Sequence, residues 1–394
     1  MLNRNLIVLL LSQIFSFTAA PITVFLSGII GSIMIHDKSL ATLPAALMII
    51  GTAGGSIFAS FIMSIKGRKF GFMLATVITS FFSLVASYSI FENIFFLFCL
   101  SNLFIGIGSA FVAQYRFAAA ESVTKEYAAT AISLILFASI LGALIGPNIA
   151  TLTKDIISNK IYTGSYIFLS ILTIIPFFFF LFYSNEKLNI SDKKNNYKGR
   201  SYIELFLQPR FIQAVVASGL AYCTMSFLMT ATPISMHIHN HISLGKTGFV
   251  IMFHIFAMFL PSLITGNLIK KFGINRIMYA GVFIFLISIS FNFVSQNFYN
   301  YLVGLILLGI GWNFLFISGT ALLMTSYNSE EKFRAQGLND FVVFSTQAIG
   351  ALSAGYLLNI FGWKFINLMC IPLLIIIVLT IMISENRERS IIMP

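Results

Sequence analysis

Residues 42–90 read TLPAALMIIGTAGGSIFASFIMSIKGRKFGFMLATVITSFFSLVASYSI. Two apolar runs, 42–64 and 70–90, are separated by little more than Lys66, Gly67, Arg68 and Lys69. A bilayer core of about 30 Å needs about 20 apolar residues per helix. Each run is therefore long enough to cross once, and the basic tetrapeptide turns the chain between crossings. Both runs are continuously apolar, whereas a strand of a membrane barrel would alternate over about 10 residues.

The same pattern extends in both directions. Spans are expected at roughly 6–35, 42–64, 70–90, 94–114, 127–151 and 163–184, then at 209–236, 247–269, 277–295, 298–326, 336–360 and 365–384. The chain thus reads as an all-α integral membrane protein of about twelve helices. Composition agrees: of 394 residues 58% are hydrophobic and only 9% charged, with 43 Phe, whereas soluble domains carry charge on about a quarter of their residues. Disorder is excluded, since it needs low hydrophobicity and high charge. The first run continues past Pro21 to Ile35, too long for a cleaved signal sequence, so an uncleaved first helix is expected. Cys99, Cys223 and Cys370 all fall inside spans without paired spacing, which argues against a disulfide framework or metal knuckle.

The net charge of +11 has a positional explanation. With both termini cytoplasmic, 19 Lys and Arg fall on the inner side, among them Arg4, Arg116, Lys187, Lys270 and Arg334, and five on the outer: Lys38, Lys154, Lys160, Lys246 and Lys364. This is a positive-inside bias. It calls for lipid headgroups as partners and no nucleic acid. The longest polar connection, 185–208, separates an N-terminal bundle (1–184) from a C-terminal one (209–394), and its end, Ser201–Leu207, suits either an interfacial segment or a plain tether.

The halves echo each other. Lys66-Gly67-Arg68-Lys69 follows the second span and Lys270-Lys271-Phe272-Gly273 the eighth; Gly106-Ile107-Gly108 in the fourth is repeated as Gly309-Ile310-Gly311 in the tenth. Six-plus-six repeats point to a secondary transporter. On these residues the chain resembles the major facilitator superfamily, which carries a Gly-x-x-x-Asp-Arg-x-Gly-Arg-Arg loop after its second helix. Here the run is Ser60 to Lys69: Gly67, Arg68 and Lys69 are retained, while Ser60 and Ser64 stand where the family has Gly and Asp. The second copy keeps Gly266 and Gly273 but has Lys270 at the acidic position. The fourth-helix Arg-x-x-x-Gly motif reads Asn102 to Gly106, and Gly142 to Pro147 looks like a partial antiporter motif. Met229–Pro233, His254 with Met258–Gly266, Gly311–Phe316 and Gln336–Phe341 are similar to a bacterial branch that includes riboflavin uptake proteins. The resemblance implies two pseudo-symmetric six-helix bundles in a bacterial inner membrane, with a cavity lined by the first, fourth, seventh and tenth helices.

Polar side chains in hydrocarbon are costly and mark candidate sites. On the lining helices these are Gln13, Thr18, Asn102, Tyr222, Thr224, Trp312 and Asn313. Each could instead make an interhelical hydrogen bond. Trp312 beside Asn313 suits a planar heteroaromatic ligand, one group stacking and the other orienting. Glu121 and Asp340 lie at cytoplasmic helix ends near Arg116 and Arg334, where ion pairing would close a gate. His254, inside the eighth span, is either a titratable coupling group or a satisfied buried histidine. No Asp or Glu sits mid-span, so protons as a coupling ion are an expectation from the family alone. Met236–His241 resembles a metal tract, but i and i+2 do not share a helix face, and an interfacial loop is the better reading. No metal, cofactor or enzymatic arrangement is expected, and the chain should act as a monomer. The expected function is uptake of riboflavin or a similar planar heterocycle; the alternatives are efflux of amphiphilic drugs and a non-transporting receptor on a carrier scaffold.

Overall fold

The computed structural model describes residues 2–36, 40, 42–157, 160–185 and 199–392. Its first-half helices are α1 (Arg4–Ser16), α2 (Ala19–Met34), α3 (Leu43–Phe91), α4 (Phe95–Ala113), α5 (Tyr115–Glu121), α6 (Ala128–Thr153) and α7 (Thr163–Leu181). There follow α8 (Tyr202–Phe206), α9 (Pro209–Pro233), α10 (Leu244–Phe259), α11 (Ser262–Phe272), α12 (Ile274–Val294), α13 (Phe298–Leu323), α14 (Lys332–Leu368) and α15 (Cys370–Ile392). Most of the expected central connection, 186–198, lies outside the described residues, as does Lys38. The connection ends in α8, which opens on a reciprocal cap: Glu204 N–H donates to Ser201 Oγ (3.2 Å) and Ser201 N–H to Glu204 Oε2 (2.6 Å).

Among the described residues there is no strand, and ten helical stretches are long and apolar enough to cross a membrane. The difference from twelve expected crossings lies in Leu43–Phe91, of 49 residues, and Ser329–Arg387, of 59. At 1.5 Å per residue the shorter would run about 74 Å, more than twice a bilayer core. Each is broken by a glycine at positive φ: Gly67 (φ 82°, ψ 164°) and Gly362 (φ 78°, ψ 170°). Gly273 (φ 87°, ψ 157°) makes the same bend between α11 and α12. A side chain in that nearly glycine-only region costs about 1–3 kcal/mol, so each stretch holds two crossings joined at a residue with no Cβ.

The expected first helix is also divided. Pro21 has no N–H to return to the Phe17 carbonyl, and the chain turns at Phe17 and Thr18 between α1 and α2.

The chain forms two compact units. Unit 1 comprises Met1–Lys125, Ala138–Gly199 and Ser329–Phe341; unit 2 comprises Glu126–Phe137, Arg200–Asn328 and Val342–Pro394. Each contains one short segment from the other half of the sequence. The repeated Gly-Ile-Gly plays the same part in both. In unit 1 a Cβ on Gly106 would strike the Met48 carbonyl, ahead of the Gly67 bend, and one on Gly108 the Thr79 side chain, beyond it. In unit 2 a Cβ on Gly309 would lie 2.9 Å from the Ala257 carbonyl carbon and one on Gly311 2.6 Å from the Phe285 ring, again on either side of a bend, here at Gly273. Small residues let helix backbones approach closely where no hydrophobic force drives them together.

Candidate functional site

In unit 1 one face of α14 carries Lys332, Gln336 and Asp340, at i, i+4 and i+8, all within its first three turns. Arg68, just past the Gly67 bend, donates to Glu121 from Nε (2.9 Å) and Nη2 (2.6 Å), a two-pronged pairing that fits the guanidinium plane. Gln336 ties this pair to α14, accepting from Arg68 Nη2 (2.7 Å) and donating to Glu121 (2.8 Å), and Lys332 Nζ lies 3.3 Å from the same carboxylate. Two turns into α14, fully buried Asp340 pairs with Arg116 and accepts from Gln114 (2.8 Å) and Asn339 (2.9 Å). Two acids and three cations thus lie together in one largely buried layer.

The retained and the altered parts of the loop motif have physical counterparts here. The Ser64 hydroxyl donates to its own helix at Phe61 (2.7 Å) and is exposed, so the carboxylate that meets Arg68 comes from Glu121 instead. Ser60, where the family has glycine, faces Gly337: a Cβ there would lie 2.5 Å from Ser60 Oγ and 2.7 Å from Ser60 Cβ. In unit 2 the glycine is on the other partner, since a Cβ on Gly266 would lie 2.7 Å from Thr130 Cα. One glycine per close approach is kept, but on opposite helices. Gly337→Leu should therefore keep α14 from closing on α3 and lower the thermal midpoint of the protein in detergent by several degrees; an unchanged midpoint would refute the close approach. Lys69 supports the loop from outside, its Nζ donating to the Leu181 carbonyl at the end of α7 (2.7 Å), where a cation also complements the helix dipole.

Unit 2 holds an aromatic nest. Trp312 stacks on Phe316 one turn along α13, with centroids 4.9 Å apart and planes 13° from parallel. Tyr222 of α9 stands edge-on to both rings (5.1 and 5.2 Å) and also meets Phe344 (6.0 Å). Phe259, the last residue of α10, approaches the indole edge-on at 5.8 Å. Trp312 is fully covered, Tyr222 is half-buried, and the indole N–H has no hydrogen-bond partner among the described residues.

The remaining expected site residues divide by what holds them. Gln13 donates to Ser139 (2.8 Å), the Thr18 hydroxyl to the Phe15 carbonyl at the helix break (2.6 Å), and Asn102 to the Phe98 carbonyl (2.8 Å). Thr224, two residues from Tyr222, is fully buried and lies on another face of α9. Asn313 is also fully buried: its Nδ2 donates to the Met258 carbonyl and to Ser262 Oγ (both 2.6 Å), and its Oδ1 accepts from Thr265 (2.7 Å). His254 Nδ1 donates to the Leu305 carbonyl (2.7 Å), which can only accept. Arg334 is half-buried; Glu121 finds Arg68 and Lys332, and Asp340 finds Arg116. Outside both sites, His237 Nδ1 bonds the Ile242 carbonyl (2.9 Å). Sequence reading missed Lys332, Gln336 and Gln114, although the four-residue spacing of Lys332, Gln336 and Asp340 was there to be read.

Similarity to known proteins bears on what these groups serve. A family profile described as Major Facilitator Superfamily matches residues 6–218 and 214–391. The chain is 33% identical over 388 residues to riboflavin transporter RfnT of Brucella anthropi, covering 98% of this chain and 97% of that protein. It is 27% identical to YdeG of Bacillus subtilis, described as an uncharacterized MFS-type transporter, over 98% of this chain and 93% of the relative. In structure it matches a bacterial homologue of the iron transporter ferroportin, crystallised in an outward-facing state, with TM-score 0.75, 12% identity and coverage of 98% and 100%. That last likeness concerns the fold alone.

Proposed function

The chain belongs to the major facilitator superfamily, and on that premise we propose that it takes up riboflavin or a similar planar heterocycle across a bacterial inner membrane by alternating access. The observation that carries this reading is the 33% identity, spread over nearly the whole of both chains, to a riboflavin transporter. The aromatic nest supports it chemically. A tricyclic ring presents a large apolar face with polar atoms at its edge, and ligand sites of this kind are mostly apolar and aromatic with a few placed polar groups. Trp312 offers a stacking face and an unpaired N–H donor at its edge. Because the indole is fully covered, a ligand reaches it by turning aside Tyr222, the half-buried member. The layer around Asp340 and Glu121 serves on this reading as the cytoplasmic closure, holding while the outer side is open and parting when the solute leaves inward.

Expression of this chain in a riboflavin auxotroph should restore growth at limiting vitamin. Failure to rescue by well-expressed protein, together with heightened drug sensitivity when its gene is deleted, would replace uptake by efflux of amphiphiles. Proton coupling is the family expectation, and the buried Asp340–Arg116 pair is the group we assign to it. A protonophore at clamped membrane potential should then lower uptake, whereas unchanged uptake would make the protein a facilitator of diffusion.

A further inference from the structure

Asn313 was expected beside Trp312 as a ligand contact, but its amide is occupied at a weak point in the fold. Between α10 and α11 the chain passes through Leu260 and Pro261. Proline offers no N–H, so the helical ladder breaks. It resumes beyond the break through Leu263 N–H to the Leu260 carbonyl (3.2 Å) and Ile264 N–H to the Pro261 carbonyl (2.9 Å). In hydrocarbon a freed carbonyl must find a donor from a neighbouring helix or side chain. In a regular helix the missing N–H would serve the Ala257 carbonyl and the next one, of Ser262, the Met258 carbonyl. At the bend Asn313 Nδ2 donates to the Met258 carbonyl, on the α10 side, and to Ser262 Oγ, on the α11 side. Its Oδ1 accepts from Thr265, one turn into α11, whose single proton is shared with the Pro261 carbonyl (2.9 Å). One fully buried amide on α13 thus grips both sides of the break. Its orientation is not ambiguous, because the Met258 carbonyl can only accept.

What the grip controls lies next to it. Phe259 follows Met258 directly and is the ring that closes the nest from the α10 side, 5.8 Å from Trp312. We propose that Asn313 is a positioning residue: it pins the Pro261 break so that Phe259 is held against the indole, and it acts on the solute through that ring and not by touching the solute. The proposal rests on the reading of Trp312 as the stacking platform only for its effect on transport; the positioning itself has a readout without any ligand.

The chain has two tryptophans, so Trp363→Phe leaves Trp312 as the sole indole reporter. In that background Asn313→Leu should shift the Trp312 emission to the red and raise its quenching by acrylamide severalfold in ligand-free protein. If the protein is a flavin carrier, the same change should weaken riboflavin binding about tenfold, in line with the loss of buried hydrogen bonds. Pro261→Ala weakens the reason for the grip: it returns an N–H to the Ala257 carbonyl and, as the bend closes, brings the Ser262 N–H onto the Met258 carbonyl. Asn313→Leu should then have little further effect in the Pro261→Ala protein, a non-additivity that independent sites do not show. Thr265→Val, which removes one of the bonds, should move the emission the same way by less, and it serves where Asn313→Leu does not yield folded protein. An altered emission with no riboflavin binding in any variant supports the positioning role and counts against the flavin reading. The proposal is overturned if the ligand-free emission is unchanged while binding weakens, which would make Asn313 a direct contact, or if the effect is the same with and without Pro261.

Discussion

Arg116→Met should destabilise the protein more than any other single change in the inner polar layer, and Arg116→Met with Asp340→Leu should recover much of the loss. Asp340 is fully buried and Arg116 is 4% exposed. Without the guanidinium the carboxylate keeps two neutral amide donors, Gln114 and Asn339, which stabilise a charge far less than a cation does. Removing one partner of a buried pair typically costs about 3–5 kcal/mol, while replacing both by apolar groups is often neutral or better. The double variant should therefore unfold close to the parent in detergent, several degrees above Arg116→Met. Uptake should be lost in both, because an apolar pair has no charge to protonate or exchange when the layer opens. Full uptake by the stable double variant would reduce the pair to a structural contact.

On the proposed flavin reading, Trp312→Ala should raise the KM for riboflavin by about 100-fold or more. Aromatic pairs contribute about 0.5–1.5 kcal/mol each beyond their buried area, and a flavin bound on the indole would exploit that face together with the N–H edge. The alanine variant also loses three ring contacts of its own, with Phe316, Tyr222 and Phe259, so part of its defect would be a loosened nest. Trp312→Phe separates the two effects. It keeps a flat ring on α13 but no donor, and its KM should rise about tenfold at nearly normal maximal rate, the scale of one hydrogen bond in a dry site. Parallel uptake assays on membranes with matched expression give both numbers. Unaltered KM in Trp312→Phe would mean that the indole N–H serves no ligand.

Much of the architecture was open to reading because the membrane imposes it. An apolar run near 20 residues has one common use, and the basic tetrapeptide Lys66-Gly67-Arg68-Lys69 reads as the turn between two crossings, which the structure makes at Gly67 through its positive φ. Partnership across helices was less legible. Ser64 stands where the family has its acid, and the carboxylate that meets Arg68 is Glu121, 53 residues further on. Nothing in spacing along one chain reports such a contact. Ser60 likewise stands where the family has glycine, and the glycine that permits the close approach, Gly337, lies opposite it on α14. Asn313 shows the converse limit: a polar residue beside a tryptophan in a span reads as a binding pair, but the amide turns toward Met258 and Ser262 at a proline break two helices back in the sequence. Arg334 and Lys332 lie two positions apart, so the face of α14 decided which of them meets Glu121, and a helix whose start is uncertain by one or two residues does not reveal its face.

The most direct test is uptake of labelled riboflavin by the purified protein in liposomes. Saturable accumulation above empty vesicles, competed by unlabelled riboflavin and lost in Trp312→Ala while Trp312→Phe retains a weakened activity, is the expected result. Uptake indistinguishable from empty vesicles by protein that is folded and correctly inserted, under an imposed proton gradient of either direction, would contradict the account.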